Sequence, residues 1–431
     1  MRYRPLSSQC YIENRKRFVS ELKPGGLAVF NSNDIYPISA DSTLPFAQHR
    51  DIFYLSGIDQ EESILLLFPD AQHSEYREVL FLKKTNSQIA VWEGKKLTPS
   101  AATALSGIGS VRWLEDFENV FDTLAQEAKI LYINTNEHLR AKVETQTRED
   151  RFIKWAKAKF PTLPTAKSNF ILQKLRSIKD TEEVEQIQKA IGITEKGFRR
   201  VLPLIQPGIW EFEIEAAYAH EFLSHRSKGF AYAPIIASGN NSNVLHYNDN
   251  SAQCKAGELL LMDVGAEYGN YASDMTRTVP VSGTFSSRQR AVYEAVLRVE
   301  KSAMEMLTPG VVIQEYHVEV GKIMTAELLQ LGLLDKTDVK NEDPKHPAYK
   351  KYFMHGTSHF LGLDTHDYGQ MDQPLQAGMV LTVEPGIYIP EEGFGIRIED
   401  DVLVQSQGPP KNLMENIPKE VDEIEHLMQA N

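Results

Sequence analysis

Carboxylates close apolar runs at several points in this chain. In GELLLMDVGAEYGNYASDMTRTVP (257–280), Asp263 ends the run LLLM and Asp274 stands in a second apolar, β-leaning segment. A lone ionised carboxylate among apolar neighbours is costly, so each must be exposed, neutral or partnered. The intervening GAEYGN is a hairpin connection. A turn centred on Tyr268 and Gly269 would set Asp263 directly opposite Asp274. Directly opposed Cβ atoms lie about 4.5 to 5.5 Å apart, where like charges repel unless something positive lies between them. The pair predicts a metal ion; the plainer alternative is two surface aspartates flanking a loop.

The anomaly recurs further on. In GMVLTVEPGIYI (378–389), Glu384 ends an apolar strand and is followed by Pro-Gly, which stops pairing and turns the chain. In GFGIRIEDDVLV (393–404), strand alternation puts Ile396 and Ile398 on one face and Arg397 and Glu399 on the other. A solvated face is the alternative there. HGTSHFLGLDTHD (355–367) supplies His355, His359 and His366, and a helical turn at its start would bring His355 and His359 to one face. His246, in ASGNNSNVLHYND, follows a turn-rich loop and opens a short β-like run, with a surface histidine as the alternative.

Together, Asp263, Asp274, Glu384, Glu399 and at least one histidine suit two divalent cations of the manganese or iron type rather than a soft thiolate site. Calcium rarely recruits imidazole. Two metals about 3.5 to 4 Å apart can bridge a water and lower its pKa, so the expected reaction is hydrolysis.

The elements that must position these residues fall into two stretches. The first alternates apolar strand candidates, LAVF (27–30), SILLLF (63–68), EVLFL (78–82) and KILYIN (129–134), with helical segments such as DFENVFDTLAQEA (116–128). This predicts an α/β domain over residues 1–170. A charged amphipathic helix then begins near KDTEEVEQ and is stopped by QPG at 206–208, with further helices expected over 211–226 and 286–307. Glycine-rich β segments lie between and after them. That order predicts an α+β domain over 171–431, with helices on one face of a curved antiparallel sheet.

Bulk composition narrows the setting. The chain has 431 residues, enough for two domains, and its 42% hydrophobic and 24% charged residues are those of a globular protein. A formal charge of −13 argues against nucleic acid and against anionic membrane surfaces. Cys10 and Cys254 are the only cysteines, too few for a disulfide scaffold. The N-terminal MRYRPLSSQCYIENRKRF has no apolar core of a secretion signal, and no stretch has the length of a membrane span. A cytoplasmic protein is expected.

The ordered motifs LLLMDVGAEYGNYASDMTRT, HGTSHFLGLDTHD, LTVEPGIYI and GIRIEDD resemble the pita-bread metallopeptidases, which include methionine aminopeptidase, prolidase and aminopeptidase P. FAQHRDIFYLSGI (46–58) and VWEGKKL (91–97) extend the resemblance to the N-terminal domain of the Xaa-Pro subgroup, aminopeptidase P and prolidase. The resemblance implies a creatinase-like N-terminal domain serving substrate access and oligomerisation, and a C-terminal pita-bread domain. It implies that Asp263 and Asp274 bind one metal, Asp274 bridging, and that His359, Glu384 and a bridging Glu399 complete the pair. Glu384 would also be the general base. His246, His355 and His366 match histidines that contact substrate, Arg397 an arginine supporting the metal-bound aspartate, and Tyr388 a further matching position. Manganese is the foremost metal, with cobalt, zinc and iron(II) as alternatives. The implied activity removes an N-terminal residue when proline follows it, through a hydroxide bridging the metals. Trp92 and Asp41 lie in motifs similar to those that a neighbouring subunit contributes in tetrameric members. An arginine often found shortly before the latter is absent, and local packing is the plainer explanation of both. A homodimer or homotetramer is therefore expected. Two rivals stand beside this reading: prolidase, restricted to dipeptides, and a noncatalytic pita-bread protein that binds partners.

Overall fold

A computed structural model of the chain describes residues 2–429. Pro5–Arg176 form one compact unit, and Ser177 onward, together with the segment ending at Arg4, form the other.

The N-terminal unit is built on a six-stranded mixed sheet. Its strand Gly26–Asn31 is buried throughout and pairs antiparallel with Ile64–Leu67 and parallel with Ile130–Ile133. Burial on both faces explains why these strands read as unbroken apolar runs instead of alternating. Glu78–Leu82 and Ser110–Trp113 extend one side, and Thr165–Lys167 the other. The helix Phe117–Glu127 buries Phe117, Val120, Phe121 and Leu124 against this sheet, the spacing of one helical face.

In the C-terminal unit, Thr181–Val201 starts at Asp180, whose carboxylate accepts from the Glu183 N–H at 2.8 Å while Glu183 accepts from the Asp180 N–H at 3.0 Å. This reciprocal cap satisfies two donors that a helix start leaves open. The helix ends at Val201, ahead of the expected stop, because Pro203 draws the chain into a 3-10 turn. It packs closely on Glu211–Ser224: a Cβ at Gly197 would stand 2.6 Å from the Tyr218 ring. The helices Ser287–Glu305 and Ile313–Gln330 follow.

The strand pairs of this unit are antiparallel. Leu259–Val264 lies between Ile235–Ser238 and Met275–Pro280, Val380–Val383 pairs with Asp400–Leu403, and Gly386–Ile389 pairs with Phe394–Arg397. The bridge Thr276↔Glu399 joins the first set to the last. Among the described residues no helix is long and apolar enough to cross a membrane.

One register differs from expectation. Asp263 pairs with Thr276, not with Asp274, because the turn is centred on Gly269 and Asn270. Both have positive φ, 61° and 69°, as a tight hairpin requires. Glycine and asparagine tolerate that conformation, whereas the expected centre would have imposed it on Tyr268.

Candidate metal centre

Shifting the register keeps the two aspartates together by another route. Just past the last paired residues, Val264 and Met275, a Cβ at Gly265 would lie 1.8 Å from the Ser273 carbonyl, so only glycine lets the two strands approach this closely beside Asp274. The Oδ1 atoms of Asp263 and Asp274 both lie 2.6 Å from Oη of Tyr232. Asp263 Oδ2 accepts from Arg397 Nη2 at 2.5 Å. Arg397 Nε donates to Thr276 Oγ1 at 3.1 Å, and that hydroxyl donates to Glu399 Oε2 at 2.6 Å. Arg397 and Glu399 thus face one site, although the strand breaks off at Arg397.

Glu384 follows the strand Val380–Val383, and its N–H donates to the Thr357 carbonyl at 2.8 Å. His359 is held from the same strand, its carbonyl accepting from the Thr382 N–H at 2.9 Å. Its Nε2 lies 3.4 Å from Asp274 Oδ2 and 3.7 Å from Glu384 Oε1. His355 Nδ1 lies 3.6 Å from Glu384 Oε2. The helical turn expected across His355 and His359 is absent; the segment is irregular and tied by these backbone bonds. Glycine at 356 and the pull of the strand outweigh helical propensity there.

The electrostatics are those of carboxylates short of cations. Burial, followed by the charges of neighbouring carboxylates, pushes Glu399 well above its ordinary range. Burial also raises Glu384 to about 7, against the opposing pull of His359 and Arg397. Asp263 is raised by burial despite Arg397. Burial alone would lower His359, but its hydrogen bond to Asp274 and the Glu384 charge raise it. His355 is pushed down to about 3 by burial and by the Arg397 charge. One ligand atom each from Asp274, His359 and Glu399 lie within 4.8 Å of one another. Asp263 and Glu384 flank that trio. Hard oxygens with one imidazole fit divalent cations of the manganese, iron or zinc kind, and no thiol is among them.

The remaining expected residues are more dispersed. Tyr388 is buried and joins Arg397 to His355. The His366 ring lies 4.4 Å from that of His359. His246 stands exposed in a turn and opens no strand. Of the side chains before it, Ser238 and Asn241 bond to Glu211 at the start of helix Glu211–Ser224, and Ser242 accepts from the Gly395 N–H of strand Phe394–Arg397. Trp92, in the helix Ser87–Glu93, and Asp41, in the turn between Pro37–Ser39 and Ser42–Thr43, belong to the N-terminal unit. Trp92 is 90% exposed, so local packing does not account for it.

Three residues escaped the sequence reading. Tyr232 sits in FAYAPII, with nothing periodic to mark it. Asp401, whose Oδ2 accepts from the Asp274 N–H at 3.1 Å, was hidden beside Asp400. Thr276 could have been found from the correct hairpin register.

A two-unit chain with a buried carboxylate and imidazole cradle on antiparallel strands has counterparts. The chain belongs to metallopeptidase family M24, which matches residues 185–406. Residues 11–132 match the aminopeptidase P N-terminal domain, so the class is narrowed from the front of the chain as well. The Xaa-Pro aminopeptidase of Escherichia coli (strain K12) is 34% identical over 440 residues, 99% of this chain and 98% of the relative. Xaa-Pro aminopeptidase 3 of Homo sapiens is 32% identical, covering 92% of this chain and 79% of the relative. Zinc-substituted E. coli aminopeptidase P in complex with product superposes with a TM-score of 0.88 at 31% identity, covering 99% of each chain.

Proposed function

We propose that this metallopeptidase hydrolyses the first peptide bond of peptides whose second residue is proline. The observation that carries the reading is the cluster of Asp263, Asp274, His359, Glu384 and Glu399 in one site of a chain that also carries an aminopeptidase P N-terminal domain. That domain favours an aminopeptidase over a prolidase. Keeping all five side chains in one cradle speaks against a partner-binding protein that has lost catalysis.

Those five residues would hold two divalent cations, manganese foremost because the donors are mainly carboxylates. The cations supply an activated water and a Lewis-acid contact for the scissile carbonyl. Glu384 takes the proton from the attacking water and delivers it to the proline nitrogen as the C–N bond breaks, the part of a positioned general base. Tyr232 and Arg397 hold Asp263 in place. His246, His355 and His366 are assigned to the substrate side, where an imidazole N–H can donate to developing negative charge. Both ring nitrogens of His355 are already engaged, by the Gly356 carbonyl and by Tyr388, so His355 serves to order the site. Trp92 and Asp41 are assigned to substrate binding across copies in a homodimer or homotetramer. A cytoplasmic setting fits the buried free thiols Cys10 and Cys254.

The test is hydrolysis of an Xaa-Pro dipeptide and an Xaa-Pro-Xaa tripeptide by protein stripped of metal and reloaded with manganese, each beside a control without proline. Metal-dependent release of the first residue from the tripeptide is expected. Turnover of the dipeptide alone would mean prolidase, and turnover of neither would favour a partner-binding role.

A further inference from the structure

Glu211 opens the helix Glu211–Ser224 and is fully buried. Its Oε1 accepts from the Ser238 N–H at 2.7 Å, from Ser238 Oγ at 2.8 Å and from Asn241 Nδ2 at 3.2 Å. Its Oε2 accepts from Tyr247 Oη and from the Ala252 N–H, both at 2.8 Å. None of these donors carries a charge. One helical turn on, Glu215 accepts from Asn250 Nδ2 at 2.7 Å, while Asn250 Oδ1 accepts from the Ile236 N–H at 2.9 Å. Asn250 has a positive φ of 46°, a conformation its side-chain bonds help to hold.

The side-chain partners of these two glutamates all lie between Ser238 and Ala252, the segment that carries His246. Its ends are held by the pairing of Ser238 with Leu260 and by the Glu211 N–H, which donates to the Ala252 carbonyl at 3.0 Å; between them the two glutamates supply much of the side-chain anchoring. Beyond Ser238, which ends the strand Ile235–Ser238, its regular structure is a 3-10 turn, Gly239–Asn243, and Val244 is exposed. At its other side Ser242 Oγ accepts from the Gly395 N–H at 2.7 Å, and Gly395 pairs with Tyr388, next to the cluster. Burying a carboxylate among neutral donors is an expensive way to stabilise a fold. It is an effective way to fix a loop, because five donors converge on one rigid point at a helix start.

We infer that Glu211 is a positioning residue for the proposed peptidase reaction, acting through loop 238–252 to set His246 against the substrate. The inference rests on the function proposed above. It assigns Glu211 no contact with substrate.

The test is a double-mutant cycle on tripeptide hydrolysis, comparing Glu211→Gln, Tyr247→Phe and His246→Ala singly and in pairs. Glu211→Gln is expected to lower kcat/KM by roughly 10- to 100-fold, the scale of losing a partner that orients a site residue. Tyr247→Phe, which deletes one donor and leaves the ring, should lower it less. In the His246→Ala background neither substitution should lower it further. Losses that multiply in that background, or a Glu211→Gln protein with wild-type turnover, would overturn the inference. If Glu211→Gln does not fold, the Tyr247→Phe cycle decides alone. Amide hydrogen exchange over 238–252 is read in parallel and needs no activity. Faster exchange in the variants is expected, and unchanged exchange overturns the inference whatever the wild-type protein hydrolyses. Failure of wild-type turnover with faster exchange would count against the function while leaving the anchoring of the loop in place.

Discussion

Tyr388 Oη lies 2.8 Å from Nε2 of His355, and the direction of that hydrogen bond follows from its neighbours. His355 Nδ1 lies 2.8 Å from the Gly356 carbonyl, which can only accept, so the proton sits on Nδ1. Nε2 therefore accepts from the Tyr388 hydroxyl. Tyr388 in turn accepts from Arg397 Nη1 at 2.8 Å, and the same guanidinium holds Asp263. A single chain of donors thus runs from an expected metal ligand to an expected substrate histidine. Tyr388→Phe should break it. We expect kcat to fall roughly 10- to 100-fold, the usual cost of removing a partner that orients a site residue. Steady-state kinetics on an Xaa-Pro-Xaa peptide, with circular dichroism to confirm the fold, would check this.

Tyr232 offers one phenolic hydrogen to two carboxylates. Its phenol is raised well above the ordinary value by burial and by Asp263 and Asp274, so it stays protonated. Tyr232→Phe removes that hydrogen without removing the ring. Manganese affinity should drop by about tenfold or more, measured by calorimetric titration of metal-free protein. Unchanged affinity would mean that the aspartates are held well enough by Arg397 and by Asp401.

How much of this was legible beforehand depended on whether the signal was local. LLLMD and LTVEP betray Asp263 and Glu384 because a carboxylate at the end of an apolar strand conflicts with its own neighbours. The strands LAVF and EVLFL were legible for a related reason, being apolar runs too short for helices. Tyr232 and Glu211 gave no such signal. A tyrosine in an apolar segment and a glutamate at a helix start are ordinary, and only the folded chain reveals what their oxygens touch. The hairpin was misplaced by one residue because the choice lay between two adjacent centres. Asking which residues accept a positive φ would have decided it for Gly269 and Asn270.

In the N-terminal unit, Glu149 is a buried carboxyl raised to about 8, chiefly by burial, while bonds from the Asn31 N–H and Nδ2 pull the other way. The folded state therefore binds its proton more tightly than the unfolded state. The resulting stabilisation is full below the unfolded value of 4.5 and is lost as pH rises toward about 8. Glu149→Gln, which mimics the protonated form, should gain stability relative to wild type across that window and level off above it. Denaturant midpoints of both proteins at a series of pH values would check this. A difference that is flat with pH would refute it.

Arg277 and Asp400 form an ion pair at 2.6 Å with both side chains fully buried. Arg277 also donates to the carbonyls of Thr276 at 2.9 Å and Glu399 at 2.7 Å, fixing the backbone that carries two site residues. Burial alone would raise Asp400, but Arg277 and Lys419 hold it far below the usual carboxylate range. Arg277→Met leaves a buried charge short of its main partner, a loss of about 3 to 5 kcal/mol. A lowered unfolding midpoint is expected. Lys419→Met should cost less, because the Lys419 side chain is 14% exposed and water can replace part of what it offered.

Glu384 is where stability and activity should part. The site gathers Asp263, Asp274, Glu384 and Glu399, and the guanidinium of Arg397 is the permanent positive charge bonded within it. Without metal these carboxylates repel one another, so Glu384→Gln should raise the thermal midpoint of metal-free protein. With manganese the order reverses. Wild type gains the binding free energy, about 2.7 kcal/mol at a metal concentration a hundredfold above Kd, while the variant has lost a ligand and gains less. Turnover should fall by about 10² to 10⁴, the contribution of a positioned base. Thermal unfolding of both proteins, stripped and reloaded, separates these effects from misfolding. A variant less stable than wild type even without metal would show that Glu384 supports the fold directly and would remove the charge-repulsion argument for the site.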